Sequence, residues 1–216
     1  MKIDDSVALV TGANRGLGAA FAHALLDRGA KTVYAAVRDP STVTDPRLVV
    51  VQLDVTDPAQ AAAAAERCGD VDLLINNAGA LGLPAVEMAT NYLGVRAVSR
   101  AFAPVLARNG GGALVNILSV LSFMTFPQVA TYAASKAAAW SLTNALRMEL
   151  REQGTLVTGV HAAYIDTDMA ARVTAPKLTT AEVVAATLDG VAAGLTEVLV
   201  DELSRNAKAA LSQPPS

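Results

Sequence analysis

A doubly wound α/β fold with parallel strands is predicted for this chain by three observations. Apolar strand-like runs alternate with helical patterns along the whole sequence. Hydrophobic residues make up 52% of the 216 and charged residues only 17%, a composition that excludes disorder and suits a largely buried parallel sheet. The first strand-like run passes through a glycine-rich turn into a helical stretch.

The elements follow in order. Val7-Ala8-Leu9-Val10 is a short apolar run of the kind buried as a strand. It leads through Thr11-Gly12-Ala13-Asn14-Arg15-Gly16-Leu17-Gly18 into a helix expected over Leu17–Arg28. Thr32–Val37 and Leu48–Leu53 are the next two apolar runs, followed by an alanine-rich helix at Pro58–Arg67. Leu73–Ile75 is the fourth strand, and a long helix is expected over Ala85–Arg108. Ala113–Leu118 precedes a helix at Thr131–Gln153, and Leu156–His161 precedes one at Thr180–Gly194. Glu197–Val200 is the last strand and Leu203–Leu211 the last helix. Such alternation gives parallel strands joined by right-handed crossovers. The abundant alanine lets the helices lie close on the sheet. No repeat and no long linker divides the chain, so residues 1–212 are expected to form one domain, with 213–216 a frayed tail.

Several function classes are excluded by composition. The formal net charge is −3 and no dense Lys/Arg cluster occurs, which argues against nucleic acid. No signal-peptide core lies at the start, and no apolar run approaches the roughly 18 residues of a membrane span. A cytoplasmic location is expected. The single Cys68 reads as a structural thiol. His23 and His161 lack partners at metal-ligand spacing, so both read as structural and no metal is expected. Ser119 has neither a Gly-x-Ser-x-Gly elbow nor a triad around it, which argues against a hydrolase.

In an open α/β sheet the ligand lies beyond the carboxyl ends of the strands. Here a polar or glycine cluster follows each of six strands. They are Gly12–Gly18, Arg38, Asp54, Asn76-Asn77-Ala78-Gly79, Ser119 and Tyr164–Thr167. The glycine loop offers backbone N–H groups and a helix N-terminus to a pyrophosphate. Gly12 permits the tight turn, Gly16 the approach of phosphate, and Gly18 close helix packing. Tyr132 and Lys136 are four residues apart, on one helix face, with Ser119 thirteen residues before the tyrosine. An ammonium beside a phenol favours the phenolate, so a lowered Tyr132 pKa is expected.

The set resembles the short-chain dehydrogenase/reductase family in its single-domain form, on Thr-Gly-x-x-x-Gly-x-Gly, Asn-Asn-Ala-Gly and Tyr-x-x-x-Lys in that order, over Val7 to about Leu211. The resemblance implies a Rossmann-like doubly wound sheet of seven parallel strands with helices on both faces. It also implies hydride transfer between a nicotinamide cofactor and a carbonyl or alcohol. Tyr132 would be the general acid/base, Lys136 would hold the nicotinamide ribose, and Ser119 would bond the substrate oxygen. Asn91 would support a water relay to the lysine. Around the cofactor would lie Gly12, Asn14, Arg15, Gly16, Leu17 and Gly18. Asp54 and Val55 would lie against the adenine, Asn77, Ala78 and Gly79 on the adenosine-ribose side, and Ile165 and Thr167 at the carboxamide.

After the second strand, Val37 stands at the NAD-selecting aspartate position and Arg38 follows. Arginine there accommodates a 2′-phosphate, and Arg15 offers a second guanidinium, so NADP(H) is the expected cofactor. Three departures from the family pattern stand out. Ala162-Ala163 replace Pro-Gly, Ser122 stands where many relatives have glycine and should narrow the pocket, and only twelve positions separate Gly79 from Asn91. The Met169–Thr179 segment over the substrate is short. Phe123, Met124, Phe126 and Tyr164 would line the pocket and suit an apolar or aromatic ketone or aldehyde. The alternative readings are a non-catalytic NADP-binding redox sensor and a nucleotide-sugar epimerase or dehydratase. The intact Ser, Tyr and Lys argue against the first, and the loop spacing and length against the second. A homodimer or homotetramer is expected by the same resemblance.

Overall fold

The computed structural model describes residues 1–213. The expected tail therefore lies, from residue 214 onward, outside the described residues. Seven parallel strands form one sheet in the order β3-β2-β1-β4-β5-β6-β7. They are β1 Val7–Thr11, β2 Thr32–Val37, β3 Val49–Gln52, β4 Leu73–Asn76, β5 Ala113–Ile117, β6 Leu156–His161 and β7 Glu197–Leu199. The chain winds outward from β1 to β3, then returns to β4 on the other side of β1. That reversal opens a crevice beyond the carboxyl ends of β1 and β4.

Alternation along the strands sorts the core into two layers. Ala8 and Val10 of β1 face one side with Phe21 and Leu25 of α1 (Gly16–Asp27) and Val183 and Leu188 of α6 (Thr180–Ala192). Val7 and Leu9 face the other side. There they meet α2 (Pro58–Arg67), Phe102 of α4 (Val95–Arg108) and Leu146 of α5 (Ala130–Glu149). Both faces of the sheet are thus covered by helices, as the near-continuous apolar strands require. Ala61, Ala64 and Ala65 are the buried positions of α2, so the alanine-rich stripe is its contact face.

Caps set several helix starts. Asp57 accepts from the Ala59 and Gln60 amides, with Pro58 in the first turn. Thr179 and Glu182 cap each other at α6. Asp201 accepts from the Ser204 amide at the start of α7, Glu202–Ala209.

Three expected helices differ. The single helix expected over Ala85–Arg108 is three pieces: α3 (Pro84–Met88), a π-helical segment Ala89–Gly94, and α4. The widened turn carries Asn91, held by three side-chain hydrogen bonds described below; such segments recur at functional sites. Helix α5 ends at Glu149 rather than Gln153. Gln153 sits in the turn before β6, donating to the Ala103 carbonyl and to Thr155 Oγ1, and Gly154 takes φ +78°. The last helix likewise ends at Ala209, where the chain passes into a short 3-10 turn.

Candidate active site

The glycine loop is closed by contacts that leave no room for side chains. A Cβ on Gly18 would fall 2.1 Å from the Gly12 carbonyl oxygen and 2.6 Å from Asn77 Nδ2. Gly12 at φ +67° would bring one to 3.2 Å from the Ala78 Cα. A Cβ on Gly16, at φ +53°, would stand 3.4 Å from Thr167 Cγ2 across the mouth of the crevice. Arg15 is the N-cap of α1, with no side-chain cap and no acidic residue in the first turn. The amide end of α1 is therefore open to an anion, and the loop fits the pyrophosphate of a dinucleotide. Asn14, Arg15 and Gly16 are exposed at its tip, while Leu17 is buried beneath it.

Thr11, which the sequence reading passed over, ties this loop to the next. Its hydroxyl accepts from the Asn77 and Ala78 amides, each at 3.0 Å, and Asn77 Nδ2 donates to the Thr11 carbonyl at 3.0 Å. Only its place beside Gly12 in the loop could have signalled it. Asp54 accepts from the Thr56 amide and hydroxyl, and its carboxyl is held below the usual range by those bonds, with the Arg38 charge adding to them. That places exposed Arg38 and Asp54 together at the β2–β3 end of the crevice. Val55 is buried against Gly94. Arg15 is ion-paired with Asp168 across the mouth, a partner 153 residues away. Ile165 packs its side chain on the core and pairs its backbone with Leu178.

At the other end stand Ser119, Tyr132, Lys136 and Asn91. Ser119 caps a short 3-10 turn after β5, and Tyr132 and Lys136 lie one turn apart on α5. Lys136 Nζ donates to the Ile117 carbonyl at 2.9 Å and lies 5.8 Å from the centre of the Tyr132 ring. Asn91 Nδ2 donates to the Ala80 carbonyl at 2.8 Å and to Ser135 Oγ at 2.9 Å; Asn91 Oδ1 accepts from the Ala80 amide at 2.8 Å. Ser135 in turn donates to the Tyr132 carbonyl at 2.7 Å. A Cβ on Gly79 would stand 3.4 Å from Asn91 Oδ1 and 3.8 Å from Lys136 Nζ, so these three share one corner. Ser135 is a second residue the sequence reading missed, although it lies inside the Tyr-x-x-x-Lys segment. Below the site, Asn76 donates to Ser99 and Asn116, and Asn116 to Thr143, all buried.

The electrostatics correct one expectation. Tyr132 is not acidified here: desolvation of its hydroxyl pushes the phenol up to about 12, against a hydrogen bond with Ser119 and with the help of the Glu87 charge. Lys136 is too committed to Ile117 to offset this, and burial lowers its own pKa to about 8. Its ammonium is therefore a stored cost. The folded pKa lies below the unfolded value, so the penalty is full below about pH 8 and fades as pH rises towards 10.5. Lys136→Met is expected to stabilise the ligand-free protein by about 1–2 kcal/mol at pH 7, after the lost Ile117 bond is set against a penalty of roughly 3 kcal/mol. The gain should vanish towards pH 10; denaturant midpoints of both proteins at the two pH values check this. An equal difference at both would contradict it.

The departures also find explanations. Ala163, which stands at the glycine position of the replaced Pro-Gly pair, donates its amide to Asp201 at 2.8 Å and ties the loop to the start of α7. Ser122 does not narrow the pocket. It is buried, and its hydroxyl accepts from the Ser119 amide, closing the 3-10 turn. Phe123 does not line the pocket either: it stacks on His161 at 4.1 Å and meets Trp140 edge-on at 4.9 Å. His161, structural as expected, shares a hydrogen bond between Nδ1 and the Ser119 carbonyl at 3.1 Å, and burial pushes it down to about 4, neutral at pH 7. Tyr164 walls a separate open cavity of about 380 Å³ between Ala175–Leu178 and the start of α7. His23 is partly exposed beside Asp45, and Cys68 is a buried free thiol.

The comparisons agree with this geometry. The family model for short chain dehydrogenase matches residues 6–178. A short chain dehydrogenase from Burkholderia cenocepacia, crystallised with NADP, is 40% identical, with a TM-score of 0.95 over 99% of this chain and 95% of that one. The NADPH-bound carbonyl reductase from chicken fatty liver is 29% identical, with a TM-score of 0.78 over 87% of this chain and 91% of that one. Among curated relatives, the 3-oxoacyl-(acyl-carrier-protein) reductase of Vibrio cholerae is 32% identical over 188 residues, 78% of this chain and 77% of its own. With a seven-stranded parallel sheet, the family's loop and Ser-Tyr-Lys group at one crevice, and a family match over most of its length, this chain belongs to the short chain dehydrogenase family of oxidoreductases.

Proposed function

We propose that this protein is an NADP(H)-dependent carbonyl reductase, acting in reverse on the secondary alcohol. The observation that carries the reading is the meeting of Ser119, Tyr132 and Lys136 at the carboxyl end of β5, beside an anion-ready glycine loop. When bound, the nicotinamide supplies or accepts the hydride. The chain's own groups do the rest. Ser119 holds the substrate oxygen by a hydrogen bond. Tyr132, protonated throughout the neutral range, gives its proton to that oxygen as negative charge develops. Lys136, anchored on Ile117, holds its positive charge one turn away and takes a ribose hydroxyl. Asn91 keeps the Ala80 backbone and Ser135 in place and opens the helix for a water leading to Lys136.

NADP(H) rather than NAD(H) is supported by Arg38 at the end of β2 and by the NADP- and NADPH-bound relatives. With Arg15 turned to Asp168, Arg38 is the guanidinium assigned to the 2′-phosphate. Arg38→Ala should raise the NADPH Km roughly 10- to 100-fold, the worth of a charge-assisted bond, and leave the NADH Km unchanged. Parallel loss of both would show a merely structural role. The direct test is NADPH oxidation with a panel of aldehydes and ketones, NADH alongside. Turnover preferring NADPH supports the reading; binding without turnover on any carbonyl favours a redox sensor. Among the described residues no helix is long and apolar enough to cross a membrane, and we place the enzyme in the cytoplasm. A homodimer or homotetramer belongs to the same reading, and light scattering tests it.

A further inference from the structure

His161 is fully buried at the end of β6, and nothing in the reaction as described uses it. Its Nδ1 lies 3.1 Å from the carbonyl oxygen of Ser119. A carbonyl oxygen only accepts, so Nδ1 carries the proton and donates. Burial keeps the ring neutral at pH 7, which leaves it one proton to place. Nε2 is then a bare acceptor. It is buried with no hydrogen-bond partner, and Glu197 Oε1, at 3.7 Å, is beyond hydrogen-bond reach. The opposite tautomer would set a lone pair against the Ser119 carbonyl and gain only that long contact. Lys208 settles the choice further, because its Nζ takes the same Glu197 oxygen at 2.8 Å.

The ring is held flat. Phe123 stacks on it at 4.1 Å with a tilt of 23°, and Trp140 stands edge-on to both rings. Lys208 closes the stack from α7, 5.0 Å from the centre of the Phe123 ring and 4.7 Å from that of Trp140.

The bond from His161 falls on the peptide that joins Ser119 to Val120. That carbonyl also accepts from the Ser122 amide at 3.0 Å, and the N–H of the same peptide donates to the Ala162 carbonyl at 2.9 Å. Both polar groups of the peptide are therefore tied down, each with a partner at the end of β6. Strand β5 stops at Ile117, before the serine, so these bonds fix where the Ser119 side chain leaves the backbone. The hydroxyl accepts from the Leu121 amide at 3.1 Å, and its own proton remains to be donated.

Resting on the reductase reading, we propose that His161 is a positioning residue: by donating from Nδ1 to the Ser119 carbonyl, it holds the Ser119 hydroxyl where the reacting oxygen must be met. It acts through Ser119 alone.

Two substitutions separate this role from packing. His161→Asn keeps a donor in the place of Nδ1. His161→Gln keeps one in the place of Nε2 and loses the other. Both lose the stack on Phe123, so melting temperatures should fall alike. With NADPH and the fastest carbonyl of the aldehyde and ketone panel, His161→Gln should lower kcat roughly 10- to 100-fold, the effect of a displaced group, and His161→Asn by no more than about threefold. The NADPH KM should be unchanged in both. Equal losses of kcat, or a larger loss in His161→Asn, would make His161 a packing residue and overturn the proposal. Imidazole nitrogen NMR shifts of the wild type need neither turnover nor a folded variant. The chain has two histidines, and His23 is the partly exposed one. A neutral His161 protonated on Nδ1 is expected at pH 7; a proton on Nε2, or on both nitrogens, overturns the proposal. If the wild type reduces no carbonyl, the reductase reading fails, and the carbonyl carbon shift of Ser119 still decides the clamp. A shift kept in His161→Asn and moved in His161→Gln supports it, and the same behaviour in both overturns it.

Discussion

Tyr132→Phe is expected to lower carbonyl reduction by roughly 10²–10⁴-fold while NADPH binding stays as it was. The phenylalanine ring fills the same space on α5, so Lys136 keeps its bond to Ile117 and Asn91 its bond to Ser135. What disappears is one hydroxyl, its hydrogen bond with Ser119, and the proton it delivers. The substrate oxygen then gains charge with no acid to neutralise it. Because burial holds the phenol near 12, the ligand-free enzyme carries that proton across the neutral range. Its kcat/KM for reduction should be flat there, whereas alcohol oxidation, which needs the phenolate, should climb with pH. Steady-state rates with a reducible carbonyl, beside a fluorescence titration with NADPH, check both. A variant within about tenfold of wild type would remove Tyr132 from the acid role.

Gly18→Ala is expected to damage fold and site together. The new methyl would meet the Gly12 carbonyl at 2.1 Å and Asn77 at 2.6 Å, the first of which is backbone and cannot swing aside. Either α1 moves off β1 or the loop opens, and both break the tie from Thr11 to Asn77 and Ala78. A loss of about 3 kcal/mol or more follows, a fall of roughly 10 °C in Tm for a domain of this size, with NADPH affinity lost in whatever remains folded. Gly69→Ala is the control, since a Cβ there meets only the Glu66 carbonyl at an ordinary 3.6 Å. Circular dichroism melts of the two variants decide it: similar melting would mean the loop tolerates a side chain.

Reading the chain was most reliable where the signal is local. Val7–Val10, Thr32–Val37 and Ala113–Leu118 are apolar runs whose burial needs no knowledge of their neighbours, and each is a strand to within a residue. Helix boundaries were poorer where a distant partner decides them. The π-helical segment forms where Asn91 meets Ser135, 44 residues on, and no pattern within Ala85–Arg108 contains that information.

The site divides in the same way. Order of elements, glycine loop, Asn-Asn-Ala-Gly, Ser119 and the Tyr132–Lys136 pair were determined by sequence alone, because hydrophobic periodicity and fixed short spacings encode them. Charge environments were not. Whether Tyr132 is acidified depends on how deeply its hydroxyl is desolvated and on where Lys136 puts its ammonium, and Ile117 claims that group. Arg15 looks like a phosphate ligand in the sequence, yet it meets Asp168 once the β6 loop folds back over the crevice. Glu87 is an ordinary acidic residue of a short helix until α3 packs on α5 and Glu87 is buried. Burial and pairing are properties of residues far apart in the chain, and only tertiary packing brings them within a few ångströms, where desolvation and charge take effect.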